Sequence, residues 1–170
     1  MASGKSTVGP RLADALSYAF LDLDDAIEAR AGCSIPDLFA REGEAAVREL
    51  ERRLLRETAG RERVVVALGG GALTKEDNLR WARAHGTVVY LRVPADVLVR
   101  RLQAARPDRP LLLDEAGAPL EPDALRHRIQ TMLDERVAMY ERADLIVDGD
   151  QSVRAVTRTL LDALTQQHSA

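Results

Sequence analysis

Gly4-Lys5-Ser6-Thr7 is the segment whose residue types state a chemistry most directly. A glycine, a lysine and a hydroxyl in this order close the pattern G-x-x-x-x-G-K-[ST], in which backbone N–H groups and a helix N-terminus cradle phosphates. In that reading Lys5 reaches the β- and γ-phosphates of a nucleotide and Ser6 ligates Mg²⁺. The first glycine of the pattern would lie five residues before Gly4, upstream of Met1, so the sequence carries the second half of the loop. The plainer alternative is a helix start capped by Ser3. A nucleotide site is favoured because Gly4-Lys5-Ser6 heads an amphipathic helix that opens an alternating series of strands and helices.

Phe20-Leu21-Asp22-Leu23-Asp24-Asp25 follows. Two carboxylates two residues apart at the end of a strand share one face, and ligands of open α/β sheets bind outside the carboxyl ends of the strands. One acid could hold a water of the Mg²⁺ shell while the next accepts a proton from a substrate hydroxyl. Acids in this place also start helices, and that reading stays open. Gly69-Gly70-Gly71 stands directly after the apolar run Val64 to Leu68. One glycine would serve a tight turn; three suggest close approach of a ligand to the backbone.

Arginines complete the inventory. Arg48 and Arg136 could each grip a carboxylate in a bidentate bond, or be solvated surface charges. Arg106 and Arg109 stand beside Pro107 and Pro110, where a mobile guanidinium could neutralise charge on a transferring phosphoryl group. The alternative is a solubilising loop charge. Trp81 reads as packing, and Cys33 and the histidines receive no role.

The elements that must hold these groups are legible as periodicity. Helices are expected at Ser6 to Leu16, Asp24 to Ala31, from Ser34 to a break at Gly43, Glu44 to Thr58, Lys75 to Ala84, Pro94 to about Ala104, Asp123 to Glu141 and Ser152 to Leu164. Strands are expected at Tyr18 to Leu23, Val64 to Leu68, Thr87 to Val93 and Leu145 to Val147. Ala105 to Pro122, with four prolines and a glycine after Arg106, is the one long irregular stretch, of a length that is usually functional. Alternating strands and helices give a parallel, doubly wound α/β sheet with helices on both faces. The strand that should lead into the phosphate loop falls upstream of Met1; a sheet without it would expose strand edges and apolar helix faces.

Bulk properties narrow the classes. A chain of 170 residues, 46% hydrophobic and 30% charged, is read as one globular domain. A net charge of -3 argues against nucleic acid as the main partner. One cysteine excludes an internal disulfide and a thiolate metal cluster, and the three histidines are far apart. Neither an apolar run of membrane length nor a signal-peptide pattern is seen, so the cytoplasm is the expected location.

The ordered series resembles shikimate kinases. It comprises Gly4-Lys5-Ser6-Thr7, Phe20 to Asp24, Phe39-Ala40-Arg41-Glu42-Gly43-Glu44, Arg48, Leu68-Gly69-Gly70-Gly71-Ala72, Thr87 to Leu91, Arg109-Pro110-Leu111-Leu112, Glu135-Arg136 to Tyr140, and Ala143-Asp144. The resemblance implies a P-loop kinase fold over residues 1–170, with substrate-binding helices at 32–60 and a lid at 105–122. It implies transfer of the ATP γ-phosphoryl group to the 3-hydroxyl of shikimate, with Mg²⁺, on the way to chorismate and the aromatic amino acids. By the family pattern Ser3, Gly4, Lys5, Ser6, Thr7, Arg101 and Arg109 bind ATP. Ser6 and Asp22 serve the metal, Asp24 binds substrate hydroxyls and acts as base, and Arg48, Arg136 and the backbone of Gly69, Gly70 and Gly71 hold shikimate. Lys5, Asp24 and Arg109 are the catalytic set. A monomer without membrane or nucleic-acid partners is expected. Two other readings stay open. A related small-molecule kinase, such as a gluconate kinase, would share the phosphate loop but has less reason to pair Arg48 and Arg136 with Asp24. A nucleotide-binding module without turnover would bind ATP and release no ADP.

Overall fold

The computed structural model describes residues 2–104, 113 and 118–167. Helix α1 (Lys5–Leu16) begins at Gly4, whose φ of 100° places it in the left-handed region that glycine tolerates. Strand β1 (Ala19–Asp22) leads into α2 (Leu23–Ala31), and the Asp22 side chain accepts a hydrogen bond from the Asp24 N–H at the helix start. Ser34 caps α3 (Ile35–Glu57) in the same way through Asp37 N–H. Gly43, at φ 80° and ψ 172°, breaks the helical path inside α3, at the expected interruption. A 3-10 turn at Thr58–Gly60 then precedes β2 (Val64–Ala67), and α4 (Glu76–His85) and β3 (Val89–Arg92) follow. The chain closes with α5 (Ala95–Gln103), α6 (Pro122–Tyr140), β4 (Leu145–Asp148) and α7 (Val153–Gln167).

Both strand pairings are parallel. β1 lies beside β2 with Ala19 opposite Val64 and Asp22 opposite Ala67. β3 lies beside β4 with Val89 opposite Leu145 and Arg92 opposite Asp148. The α/β parallel architecture is therefore as expected, with one correction: among the described residues the strands form two separate pairs rather than one sheet. The physical reason is a cavity of about 700 Å³ between β2 and β3, lined by Val64 to Leu68 on one side and by Thr87 to Leu91 on the other.

Three apolar clusters hold this frame. Val8 and Leu12 of α1 and Val156 and Leu160 of α7 pack on Val65, Val89, Leu91 and Val147. Because side chains alternate across a strand, Val64, Val66 and Tyr90 face the opposite side, where Leu79 of α4 and Met132 and Tyr140 of α6 also border the cavity. Leu23 and Ile27 of α2 pack on Leu38, Val47, Leu54 and Leu55 of α3, and α5 packs on α6 through Leu98, Leu102, Leu125 and Ile129. Trp81 joins the α2–α3 cluster, stacked on His85 with ring centroids 4.2 Å apart, as packing. Asp22, Gly69 and Gly149 all fall at the carboxyl ends of their strands, so one rim of the molecule collects the polar groups.

Candidate active site

The rim begins at α1. Thr7 and Val8 donate to the Gly4 carbonyl at 3.0 and 2.8 Å, which starts the helix at once and leaves its first N–H groups directed outward. Ser6 Oγ donates to Asp22 Oδ2 at 2.9 Å, while Asp22 Oδ1 accepts from Asp24 N–H at 3.1 Å. Asp22 is thus both helix cap and partner of the loop serine. The two readings of that acid pair were not exclusive, and Asp24 sits in the first turn of α2 rather than on the strand. Ser6 and Asp22 together offer the hydroxyl and carboxylate oxygens that suit Mg²⁺, a hard cation.

Electrostatics couple these residues. Burial lowers the pKa of Lys5, and the carboxylates of Asp24 and Asp22 partly offset this. Asp24 is open to solvent on one side, but its partial burial and the neighbouring Asp22 charge raise its pKa, against the pull of Lys5. A carboxylate held above its usual range is a better proton acceptor.

The three glycines after β2 mark where the side chains meet. A methyl group placed on Gly69 would stand 2.5 Å from Asp24 Oδ1 and 3.3 Å from Glu51 Oε1. On Gly70 it would stand 3.4 Å from Arg136 Nη1 and 3.5 Å from the Tyr140 hydroxyl. On Gly71 it would overlap the Arg48 guanidinium. Asp24 from α2, Arg48 from α3 and Arg136 from α6 therefore converge on one run of backbone that carries no side chains. Two guanidinium groups and one carboxylate around such a floor suit a small ligand with a carboxylate at one end and hydroxyls at the other.

The family model for shikimate kinase matches residues 1–165. The chain belongs to the shikimate kinase family. A shikimate kinase from Salinibacter ruber is 52% identical over 167 residues, covering 98% of this chain and 82% of the relative. The crystal structure of a shikimate kinase from Bacteroides thetaiotaomicron is 36% identical and superposes with a TM-score of 0.90, covering 97% of this chain and 94% of that one. A shikimate kinase from Acinetobacter baumannii, in complex with shikimate, is 32% identical with a TM-score of 0.85 over 98% of this chain and 89% of that one.

Within this shikimate kinase fold, Ser3, Gly4, Lys5, Ser6 and Thr7 lie at the start of α1, next to Asp22. Arg101 lies on α5, where it donates to the carbonyls of Gly149 at 2.9 Å and Ala2 at 3.4 Å. It thereby ties β4 to the loop ahead of α1. Arg109, and Arg106 with it, lie outside the described residues, as does most of 105–122.

Two residues of the site were not singled out in the sequence. Glu51 is 3% exposed, and its Oε2 accepts from Arg48 Nη1 at 3.0 Å. Burial raises its pKa, with Arg48 pulling the other way. Tyr140 donates its hydroxyl to the Gly70 carbonyl at 2.7 Å and stacks at a tilt on Tyr90, ring centroids 5.1 Å apart. Helical spacing was the available signal: Glu51 falls four residues after buried Val47, and Tyr140 four after Arg136.

Proposed function

We propose that this chain transfers the γ-phosphoryl group of ATP to the 3-hydroxyl of shikimate. The observation that carries the reading is the convergence of Asp24, Arg48 and Arg136 on Gly69 to Gly71 beside the Lys5–Ser6 helix start. Arg48 and Arg136 bind the substrate carboxylate through bidentate bonds, and Glu51 fixes the Arg48 fork from behind. Tyr140 keeps the Gly70 backbone in place beside Arg136. Asp24 accepts the hydroxyl proton as the hydroxyl oxygen bonds to the γ-phosphorus and ADP leaves with the electrons of the broken P–O bond. Lys5 and the first N–H groups of α1 hold the phosphates. Ser6 and Asp22 would hold Mg²⁺, which when bound neutralises charge on the phosphate oxygens.

Other assignments rest on sequence pattern. Residues 1–170 act as one kinase domain, with 32–60 presenting the shikimate-binding helices. Residues 105–122 act as a lid from which Arg109 reaches the phosphates, and Arg101 belongs to the ATP side of the site. The enzyme works as a cytoplasmic monomer; among the described residues no helix is long and apolar enough to cross a membrane.

ADP release, followed by a coupled assay with ATP, Mg²⁺ and shikimate, tests the reading. Gluconate and nucleoside monophosphates serve as competing acceptors. Shikimate-dependent release alone is expected. Release with gluconate in its place would move the assignment to a sister kinase, and release with no acceptor would overturn it.

A further inference from the structure

Three glycines in a row permit close approach, but they carry no side chains to fix their own backbone, and glycine costs the most conformational entropy to order. The run after β2 is held instead by side chains from elsewhere, one for each of three successive carbonyls. Tyr140 of α6 donates its hydroxyl to the Gly70 carbonyl at 2.7 Å. Thr74, ahead of α4, donates Oγ1–H to the Gly71 carbonyl at 2.7 Å, and its N–H reaches the same oxygen at 3.2 Å. Asn78 of α4 donates Nδ2–H to the Ala72 carbonyl at 2.8 Å. The Gly69 carbonyl is taken by the Ala72 N–H at 3.2 Å, so all four carbonyls from Gly69 to Ala72 are engaged within the protein.

Held carbonyls fix the amides. Among the described residues every peptide bond is trans, and in a trans peptide the N–H points opposite to the C=O of the same plane. Tyr140 therefore turns the Gly71 N–H away from itself, and Thr74 sets the Ala72 N–H that closes on Gly69. Among the described residues the N–H groups of Gly70 and Gly71 meet no acceptor. They lie where Arg136 and Arg48 approach the backbone. Successive free N–H groups between two guanidinium groups attract an anion, whereas a carbonyl oxygen swung into that space would repel it. We propose that Thr74 and Asn78, together with Tyr140, are positioning residues: they hold the carbonyls of Gly70, Gly71 and Ala72 so that this floor offers only N–H donors to the substrate carboxylate. The inference rests on shikimate as the acceptor. Asn78 is the least expected of the three. It is 4% exposed and its Oδ1 meets no partner, so the amide acts here through its donor alone. Replacing it with leucine removes one orphan acceptor and creates another at Ala72, which leaves the fold close to balance while freeing the loop.

Tyr140→Phe, Thr74→Val and Asn78→Leu each delete one donor at nearly constant shape, and Thr74→Ser keeps the hydroxyl. Steady-state kinetics with shikimate and ATP varied separately are set beside thermal unfolding and the carbonyl ¹³C shifts of Gly70, Gly71 and Ala72, read without substrate. In each deletion variant the released carbonyl should move upfield. The KM for shikimate should rise about fivefold, the scale of one neutral hydrogen bond, with the KM for ATP within about twofold and Tm within a few degrees. Thr74→Ser should return the KM for shikimate to that of the parent. A KM for shikimate that stays put overturns the proposal, as does a carbonyl shift that does not move. So does a joint rise in both KM values with a fallen Tm, or a serine variant no better than valine, since either marks a structural duty alone. A parent chain that releases no ADP with shikimate overturns the reading of the site, and this inference with it; variants that match an active parent overturn the inference only.

Discussion

Arg48 is held from behind by Glu51: its Nη1 donates to an almost fully buried carboxylate at 3.0 Å, while Nε reaches Glu44 at 3.3 Å. The pair lies three residues apart on α3, so one helix face supplies both the cation and its support. Glu51 keeps the guanidinium beside Gly71.

Glu51→Gln should therefore raise the KM for shikimate by about tenfold, the cost of one charge-assisted hydrogen bond of roughly 1.5 kcal/mol, while kcat and the KM for ATP change little. Arg48→Lys should do worse, because an ammonium cannot offer a planar fork. Steady-state kinetics with each substrate varied separately checks both, with thermal unfolding as the control for folding. A rise in both KM values together would contradict a role confined to Arg48.

The three glycines make a graded prediction. None of them has a left-handed φ, so alanine is free of backbone strain and acts through its methyl group alone. At Gly71 that methyl meets the Arg48 guanidinium, and at Gly69 it meets Asp24 at 2.5 Å. Each opposing group is the far end of a side chain that can move aside at little cost to the fold. Gly71→Ala and Gly69→Ala should keep Tm within a few degrees and lose tenfold or more in kcat/KM for shikimate, about 1.4 kcal/mol. Gly70→Ala should be milder, its nearest neighbour being Arg136 Nη1 at 3.4 Å. Calorimetry and kinetics on the three variants would establish the ranking.

Much of this arrangement was legible as pattern. The uninterrupted run from Val64 could hardly be anything but an interior strand, and three glycines after it marked a close approach. Glu51 was hidden because α3 is charged nearly all round, and one glutamate among many reads as solvated surface. Only its registry with Val47, Leu54 and Leu55 on the buried face betrays it. The split between the strand pairs was legible only in part. Periodicity carries no information on strand order, and hence none on which strands would pair. Arg101 is placed on the ATP side by the family pattern alone, and its bonds to Gly149 and Ala2 add a structural duty that no spacing rule announces.

Asp24 gives a prediction in pH. Its folded-state pKa is raised, chiefly by burial and then by Asp22, so the carboxyl holds its proton more tightly in the folded chain than in the unfolded one. Stability from this group is full below the unfolded pKa and is lost as pH rises through the folded one. At neutral pH the ionised acid is thus a cost to stability. Asp24→Asn should lose about 10²-fold or more in kcat, the usual contribution of a general base, with a Tm at pH 7 no lower than that of the parent. A carboxyl ¹³C titration should place Asp24 above its ordinary value of 3.8. A titration at or below that value would remove the argument for its basicity.

Asp22 divides its two oxygens between two duties, and substitution can separate them. Oδ1 caps α2 through Asp24 N–H, and Oδ2 accepts from Ser6 Oγ. Asparagine retains one acceptor for the cap but brings an N–H₂ group toward the serine and removes the charge. Asp22→Asn should therefore keep the stability of α2 while raising the Mg²⁺ concentration for half-maximal rate by about tenfold, the loss of one charged contact worth roughly 1.5 kcal/mol or more. Asp22→Ala loses the cap as well, and should cost about 1 kcal/mol of unfolding free energy in addition. Ser6→Ala removes the hydroxyl that Asp22 holds and should show the Mg²⁺ effect with no capping loss. Rates over a Mg²⁺ series, set beside urea unfolding of the same variants, separate the two duties. An unchanged Mg²⁺ dependence in both Asp22→Asn and Ser6→Ala would leave the acid as a helix cap alone.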